Sequence, residues 1–148
     1  QFEKNIVPEP FSPLIQGSSK LLLNKGILIF SELLQKRYPR DTFIAHIGGD
    51  DFFVGLRNHE FNEVFNLSFE VQNEFRNTAE NIYSKKDKEN GFITSKDRFN
   101  MERRFDLLSV SSAIIEINSK SNISNFDNTL NILKKASKGS TEPMYRVL

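Results

Sequence analysis

Residues 43–56, FIAHIGGDDFFVGL, decide the fold predicted for this chain. Two runs of β-branched and aromatic residues, 42–47 and 52–56, flank a pair of glycines, and this pattern predicts an antiparallel hairpin with a tight turn. Gly48 and Gly49 allow positive φ angles and a close approach of a ligand to the backbone. Asp50 and Asp51 follow them as the expected start of the second strand. Because successive strand side chains leave on opposite faces, only one carboxylate is expected to point into a given site.

The chemistry of this turn has two interpretations. A carboxylate beside glycines offers hard oxygen ligands to Mg²⁺, and nucleotide phosphates supply others. The same four residues also make a good hairpin turn that has no function. Spacing alone favours the structural interpretation and leaves a metal site open.

The composition bounds the class of protein. A chain of 148 residues fits one domain with a real core. Lys and Arg total 20 against 19 for Asp and Glu, which argues against broad electrostatic binding to nucleic acid or to an anionic membrane. The absence of cysteine excludes disulfides, zinc–thiolate sites and cysteine nucleophiles. No apolar run approaches the roughly 20 residues of a membrane span, so we expect a cytoplasmic domain that does not insert into a membrane.

Periodicity predicts the remaining elements. Pro8, Pro10 and Pro13 permit only a short or edge strand in residues 1–17. Helices are predicted over residues 18–36, 59–83 and 124–137, strands over 107–117 and the terminal MYRVL, and a charged insert or loop over 84–106 with a short strand at 91–94. Asn58 is the expected N-cap of the second helix, and Ser124 with Asp127 forms a capping-box pattern on the third. This order predicts an α+β fold with helices packed on a mostly antiparallel sheet.

Several segments, in order, resemble the GGDEF domain family of diguanylate cyclases. The motif GGDDF at residues 48–52 is similar to the turn that names the family. FSELL on the first helix resembles the family's helix before the turn, LLSVSSAIIEI at 107–117 and LNILKKASKGS at 130–140 resemble later family segments, and NGFITSKDRFNMERRF resembles an insert found in one branch. The resemblance implies a palm-like fold related to class III nucleotidyl cyclases. It also implies that the chain is truncated at its N-terminus and is a fragment of a longer multidomain protein.

In active members of the family, two domains each hold one GTP and form cyclic di-GMP with the help of Mg²⁺. By this resemblance Asp50 and Asp51 are the retained catalytic acids, Asp50 is the metal ligand, and Gly48 and Gly49 approach the nucleotide. Phe11 aligns with a phenylalanine of the nucleotide site, and Lys138 is the candidate for the phosphate-contacting lysine of the last helix. Mg²⁺ is expected only if a nucleotide binds.

Other family positions have changed in this chain. Val7 falls where a metal-binding Asp is found, Ile15 and Gln16 where an Asn-Asp pair is found, and Asn24 where a guanine-reading Asp is found. Valine and isoleucine cannot bind a cation or hydrogen-bond a base through their side chains. The sequence therefore predicts a catalytically degenerate domain that acts as a regulatory or interaction module, with an EAL-type or sensor domain of the same polypeptide as its partner. Two alternatives remain open: an active diguanylate cyclase that uses two GTP, and a GTP-binding allosteric sensor. GTP and a second copy of the chain are the other candidate partners.

The remaining reactive side chains have simpler interpretations. His46 and His59 are isolated in sequence and are interpreted as structural or exposed. Arg98, Arg103 and Arg104 offer a phosphate or acidic-peptide site, but three acids interleave with them, which favours a solvated charged loop. Ser109, Ser111 and Ser112 have no histidine nearby in the sequence, which argues against a serine nucleophile.

Overall fold

The computed structural model describes residues 3–8, 18–97 and 99–148. The elements follow in the order β1 Glu3–Pro8, α1 Ser18–Arg37, β2 Phe43–Gly48, β3 Asp51–Arg57, α2 Phe61–Ala79, α3 Lys85–Asn90, β4 Phe92–Lys96, β5 Glu102–Asp106, β6 Ser112–Ile117, α4 Phe126–Ser137 and β7 Met144–Val147. The α+β prediction is confirmed.

The described strands form a five-stranded sheet in the order β2-β3-β1-β6-β7 and a separate two-stranded sheet, β4-β5. The pairings β2–β3, β3–β1 and β1–β6 are antiparallel, and β7 closes the other edge in parallel to β6. The predicted hairpin is confirmed, since Phe43 pairs with Gly55 and His46 with Phe52. It lies at one edge of the sheet, with Gly48 and Gly49 at its tip.

The first strand was predicted to be short or at an edge, and it is short but not at an edge. β1 is short, but it is the central strand, because residues 3–6 pair with β3 and residues 3–8 pair with β6. Pro8 is its last residue and stands opposite Ser112 of β6, beyond the end of the β3 ladder at Ile6. A proline as the last residue of the strand removes only its own N–H from the ladder and leaves the pairing of residues 3–6 with β3 undisturbed.

Each face of the sheet packs against different helices. On one face, α1 and α2 cover β3 and β6, and Phe30 makes edge-on contacts with Phe52 and Phe75 at centroid distances of 5.2 and 5.6 Å. On the other face, Leu133 of α4 packs against Ala113 and Ile115. Both faces of β6 are buried over its first four residues, which explains why Ala113, Ile114 and Ile115 form an apolar run instead of an alternating pattern.

Both predicted helix caps are wrong. Asn58 lies in the loop with φ of 60°, and Glu60 is the N-cap of α2, with its backbone N–H donating to Glu63 Oε2 at 3.2 Å. Ser124 lies in a 3₁₀ turn, Ile123–Asn125, that precedes α4. There the side chain of Asn122 accepts the N–H of Ser124 at 3.1 Å and caps the 3₁₀ turn, while the N-cap of α4 itself is Asn125, which makes no side-chain cap hydrogen bond.

The segment 84–106 is more regular than predicted. It forms α3 and the β4–β5 hairpin, whereas the sequence predicted a loop with one short strand. Ile93 is buried on the inner side of the hairpin, which explains how a charged segment gains a packed face. The strand predicted over 107–117 begins only at Ser112. Within the described residues, none of the helices is long and apolar enough to cross a membrane.

Candidate functional site at the β2–β3 turn

The glycine turn has a geometry that other residues rarely adopt. Gly48 has φ of 141° and Gly49 has φ of 59°. A Cβ built at either position meets no atom within 4 Å, so the surrounding space is open and the strain of a substitution would come from the backbone. The backbone of the turn thus requires glycine whether or not a ligand binds. The open space also permits a ligand to approach.

His46 holds the turn from its first strand. Its Nε2 lies 3.0 Å from the carbonyl oxygen of Gly49, and its ring stacks on Phe52 at a centroid distance of 4.6 Å and an interplanar angle of 16°. The structural interpretation of His46 agrees with these contacts. His59 lies 3.7 Å from Glu63 at the start of α2, away from the turn in sequence and on another element.

The two carboxylates have different surroundings. Asp50 belongs to the turn and is only 8% exposed, whereas β3 begins at Asp51. The prediction that both begin the strand is therefore wrong by one residue. Asp51 is partly buried, and both of its carboxylate oxygens lie 3.3 Å from the Nζ of Lys134 on α4. The exposed fractions of the two side chains are 27% for Asp51 and 20% for Lys134.

Lys134 was missed by the sequence analysis. It follows Leu133, the buried residue that anchors α4 on the sheet, and this neighbour brings the lysine to the end of the sheet where the turn lies. The sequence contains no signal that distinguishes it from Lys135, which is exposed. Lys138, the lysine expected from the resemblance, is the C-cap of α4 and is also exposed.

Other site candidates are distributed elsewhere or fall outside the described part of the chain. Phe11, Ile15 and Gln16 lie outside the described residues, and so does Arg98. Asn24 is exposed on α1.

The backbone of Val7 does lie near the turn. In β1 the pairing of Ile6 with Val54 directs the C-terminal end of the strand towards the start of β3. A family-like metal ligand at position 7 would thus stand at the correct end of the sheet, but this chain has a valine there.

These residues do not make a good Mg²⁺ site. Mg²⁺ demands octahedral geometry and gives up its water reluctantly, so it is bound by carboxylates together with phosphate oxygens. Among the described residues there is no group of three or more His, Asp or Glu side chains that could hold a metal ion. Asp51 is engaged by a lysine, which competes with any cation for the same oxygens.

Serine chemistry also finds no support in the geometry. Ser112 is buried in β6, Ser111 is buried just before it, and Ser109 is exposed on the preceding loop.

Comparison with known proteins places the fold. No protein-family model and no curated protein matches the sequence. Among solved structures, the chain is similar to the GGDEF domain of DgcB from Caulobacter crescentus in complex with c-di-GMP, with a TM-score of 0.62, 14% identity, and coverage of 97% of this chain and 77% of that one. It is also similar to the coiled coil and GGDEF domain of DgcB in complex with c-di-GMP, with a TM-score of 0.61, 14% identity and coverage of 98% and 70%. The chain therefore has the fold of a GGDEF domain.

Proposed function

We propose that this chain, which has the GGDEF-domain fold, serves cyclic di-GMP signalling as a catalytically degenerate regulatory or interaction module. The partner in this proposal is an EAL-type or sensor domain of the same polypeptide in the cytoplasm. The observation that carries it is the ion pair between Asp51 and Lys134 at the glycine turn. In this arrangement one of the two acids retained at the turn, Asp51, is paired with a lysine of the same chain.

The argument begins with what two-metal or metal-assisted phosphoryl chemistry requires. Such chemistry depends on several carboxylates that hold cations against the reacting phosphates. Here Asp50 is buried, Asp51 is bound by Lys134, and Val7 replaces the acid expected on β1. The turn retains its shape, because Gly48 and Gly49 keep their positive φ angles. A turn that keeps its shape but has a weakened set of metal ligands suits a regulatory domain. An enzyme would need the full set.

One alternative function has a specific observation in its favour. The open space over Gly48 and Gly49, together with the ammonium of Lys134 at neighbouring Asp51, would suit a nucleotide phosphate. A domain that binds GTP without turnover would then transmit binding to its neighbour. The cyclase alternative rests only on the two retained acids.

An activity and binding assay separates the three functions. Purified protein is incubated with GTP and either Mg²⁺ or Mn²⁺, the product is read by chromatography, and the thermal shift caused by GTP is measured in parallel. We expect no cyclic di-GMP with either metal. Turnover that disappears in Asp50→Ala and persists in Asp41→Ala, an exposed acid before β2, would establish the cyclase instead.

The binding arm distinguishes the other two functions. A thermal shift with GTP that is lost in Lys134→Gln and retained in Lys135→Gln would favour the sensor. If GTP causes no thermal shift, the regulatory proposal still predicts a measurable effect: in the full-length protein, Asp51→Asn must alter the output of the neighbouring domain. An unchanged output with a normally folded variant would contradict a regulatory role for the turn.

A further inference from the structure

A second polar surface lies on the segment formed by α3, β4 and β5, which belongs to a different sheet from the glycine turn. It is an open hollow of about 370 Å³, and we call it the hairpin hollow. Its walls include Lys86 and Asn90 from α3, Phe92 and Thr94 from β4, and Arg103 and Arg104 from β5.

The strand register explains how these side chains meet. Thr94 stands directly opposite Arg104, and Phe92 is the diagonal neighbour two residues along. Residues two apart share one face of a strand, so Phe92 and Thr94 face outwards while Ile93 is buried on the inner face. The guanidinium carbon of Arg104 lies 4.6 Å from the centroid of the Phe92 ring, so a cation–π contact positions this charge beside the hollow.

The charges of the hairpin hollow are not internally compensated. Within the described ranges, Lys86 and Arg104 have no carboxylate within ion-pair distance, whereas Lys134 and Arg37 each have one. Arg103 stands opposite Ser95, so its side chain leaves β5 on the other face, where its Nε binds Asp97. One acid, Glu102, also borders the hollow. Because Arg103 is paired with Asp97, the hollow has two unpaired cations, Lys86 and Arg104, against one acid, Glu102, and therefore a net positive charge.

We propose that the hairpin hollow binds a small phosphate monoester. The guanidinium of Arg104 matches two phosphate oxygens at once, the ammonium of Lys86 supplies a compact second charge, and Asn90 and Thr94 offer neutral donors. The volume exceeds that of a phosphate group, so part of the esterified group also fits against the Phe92 ring. This site is independent of the glycine turn and of the proposed regulatory role.

The experiment is an NMR titration of the protein with phenyl phosphate and with inorganic phosphate at constant ionic strength. We expect saturable shifts of the Thr94 and Arg104 amide signals, with tighter binding of phenyl phosphate because its ring adds contact with Phe92. Arg104→Gln and Lys86→Gln should each weaken binding about fivefold or more, as expected for loss of a hydrogen bond to a charged group.

Two further variants test the site more sharply. Lys88→Gln, on the same short helix but not lining the hollow, is the matched control, because it removes one charge without removing a contact. It should change affinity by less than about twofold, since an exposed charge is screened by salt. Glu102→Gln should strengthen binding, because it removes the one acid that borders the hollow.

Clear results would overturn the proposal. Linear, unsaturated shifts up to high phosphate concentration would show that no site exists. Equal weakening by Lys88→Gln and Arg104→Gln would show that only the net charge of the segment attracts the anion. Unchanged or weaker binding in Glu102→Gln, with the fold intact by NMR, would show that the anion does not occupy this hollow.

Discussion

Replacing Lys134 with glutamine removes the charge that neutralises Asp51. We expect two measurable effects: the thermal stability should fall, and the affinity for divalent cations should rise. At 3.3 Å and an effective dielectric constant of about 20, the attraction between the two charges is about 5 kcal/mol. Desolvation of the two groups and residual contact with water offset most of this energy, because the side chains are 20% and 27% exposed. A net contribution of about 1–2 kcal/mol to the free energy of unfolding remains.

The first effect is on thermal stability. A chain of this length has an unfolding entropy of about 0.3 kcal/mol/K near the midpoint, so Lys134→Gln should lower Tm by about 3–6 °C. Differential scanning calorimetry measures this change. Lys135→Gln, at the next and exposed position of α4, is the control and should leave Tm within about 1 °C of the parent.

The second effect is on divalent cations. Without Lys134 the carboxylate of Asp51 is available, so the turn should bind Mn²⁺ about tenfold more tightly, which corresponds to about 1.4 kcal/mol. Water-proton relaxation of Mn²⁺ solutions reads this directly, and Asp51→Asn in the same background should remove the gain. A lower Tm with unchanged Mn²⁺ affinity would refute the view that the lysine competes with metal. A Tm equal to that of Lys135→Gln would refute the stabilising contact itself.

Three further predictions concern the frame around the site. Gly48→Ala should lower the free energy of unfolding in urea by about 1–2 kcal/mol, because φ of 141° strains any residue with a Cβ although the space is open. Burial raises the pKa of Tyr38 to about 12, so stability is complete below pH 10 and falls as the pH rises from 10 towards 12, by up to about 2–3 kcal/mol. Urea unfolding at pH 9 and pH 11 tests this for Tyr38→Phe, which should lose less stability than the parent, with exposed Tyr145→Phe as the control. The Arg103 guanidinium bound to Asp97 holds the pKa of that carboxyl below its usual range, and Asp97 also accepts the N–H of Met101, so Asp97→Asn should speed amide exchange in the β4–β5 turn and leave the main sheet unchanged.

The hairpin could be predicted from sequence because its signal is local. Alternation of apolar residues along β3 buries Phe52, Val54 and Leu56 on one face, and the glycines mark the turn that joins it to β2. Period-2 burial and turn chemistry are both readable within 14 residues. The packing of α4 on the opposite face from α1 and α2 follows less directly, since it requires knowledge of which strands lie side by side.

The errors arise where tertiary contacts override local preference. Three prolines in the first 17 residues predicted a short or edge strand; β1 is short, yet the sheet places it in the centre and ends its pairing with β3 before Pro8. Asn58 is a favourable N-cap by type, but it is used for a positive φ angle in the loop, and Glu60 takes the cap. In both cases the residue type was compatible with two roles, and the geometry of neighbouring elements selected between them.

The candidate site was predicted only in part, and the reason is physical. Gly48, Gly49, Asp50 and Asp51 are contiguous, so sequence could group them, whereas Lys134 reaches Asp51 across 83 positions. A contact of that separation leaves no periodic or spacing signal. The lysine that pairs with Asp51 could not be chosen from Lys134, Lys135 and Lys138 without the position of α4 on the sheet.

The glycines and the acids carry unequal weight as evidence for function. Positive φ at Gly48 and Gly49 would keep glycine in this turn even if no ligand ever approached it, so retention of the pair says little about binding. A carboxylate has no such backbone requirement. Asp51 pairs with Lys134, which competes with solvent and with any metal ion for the carboxylate oxygens. An enzyme that used this acid would need a nucleotide to draw Lys134 away, whereas a regulatory module needs only that the pair hold the turn against α4. In the proposed regulatory role the pair holds the turn against α4, and the Lys134→Gln measurement tests that step.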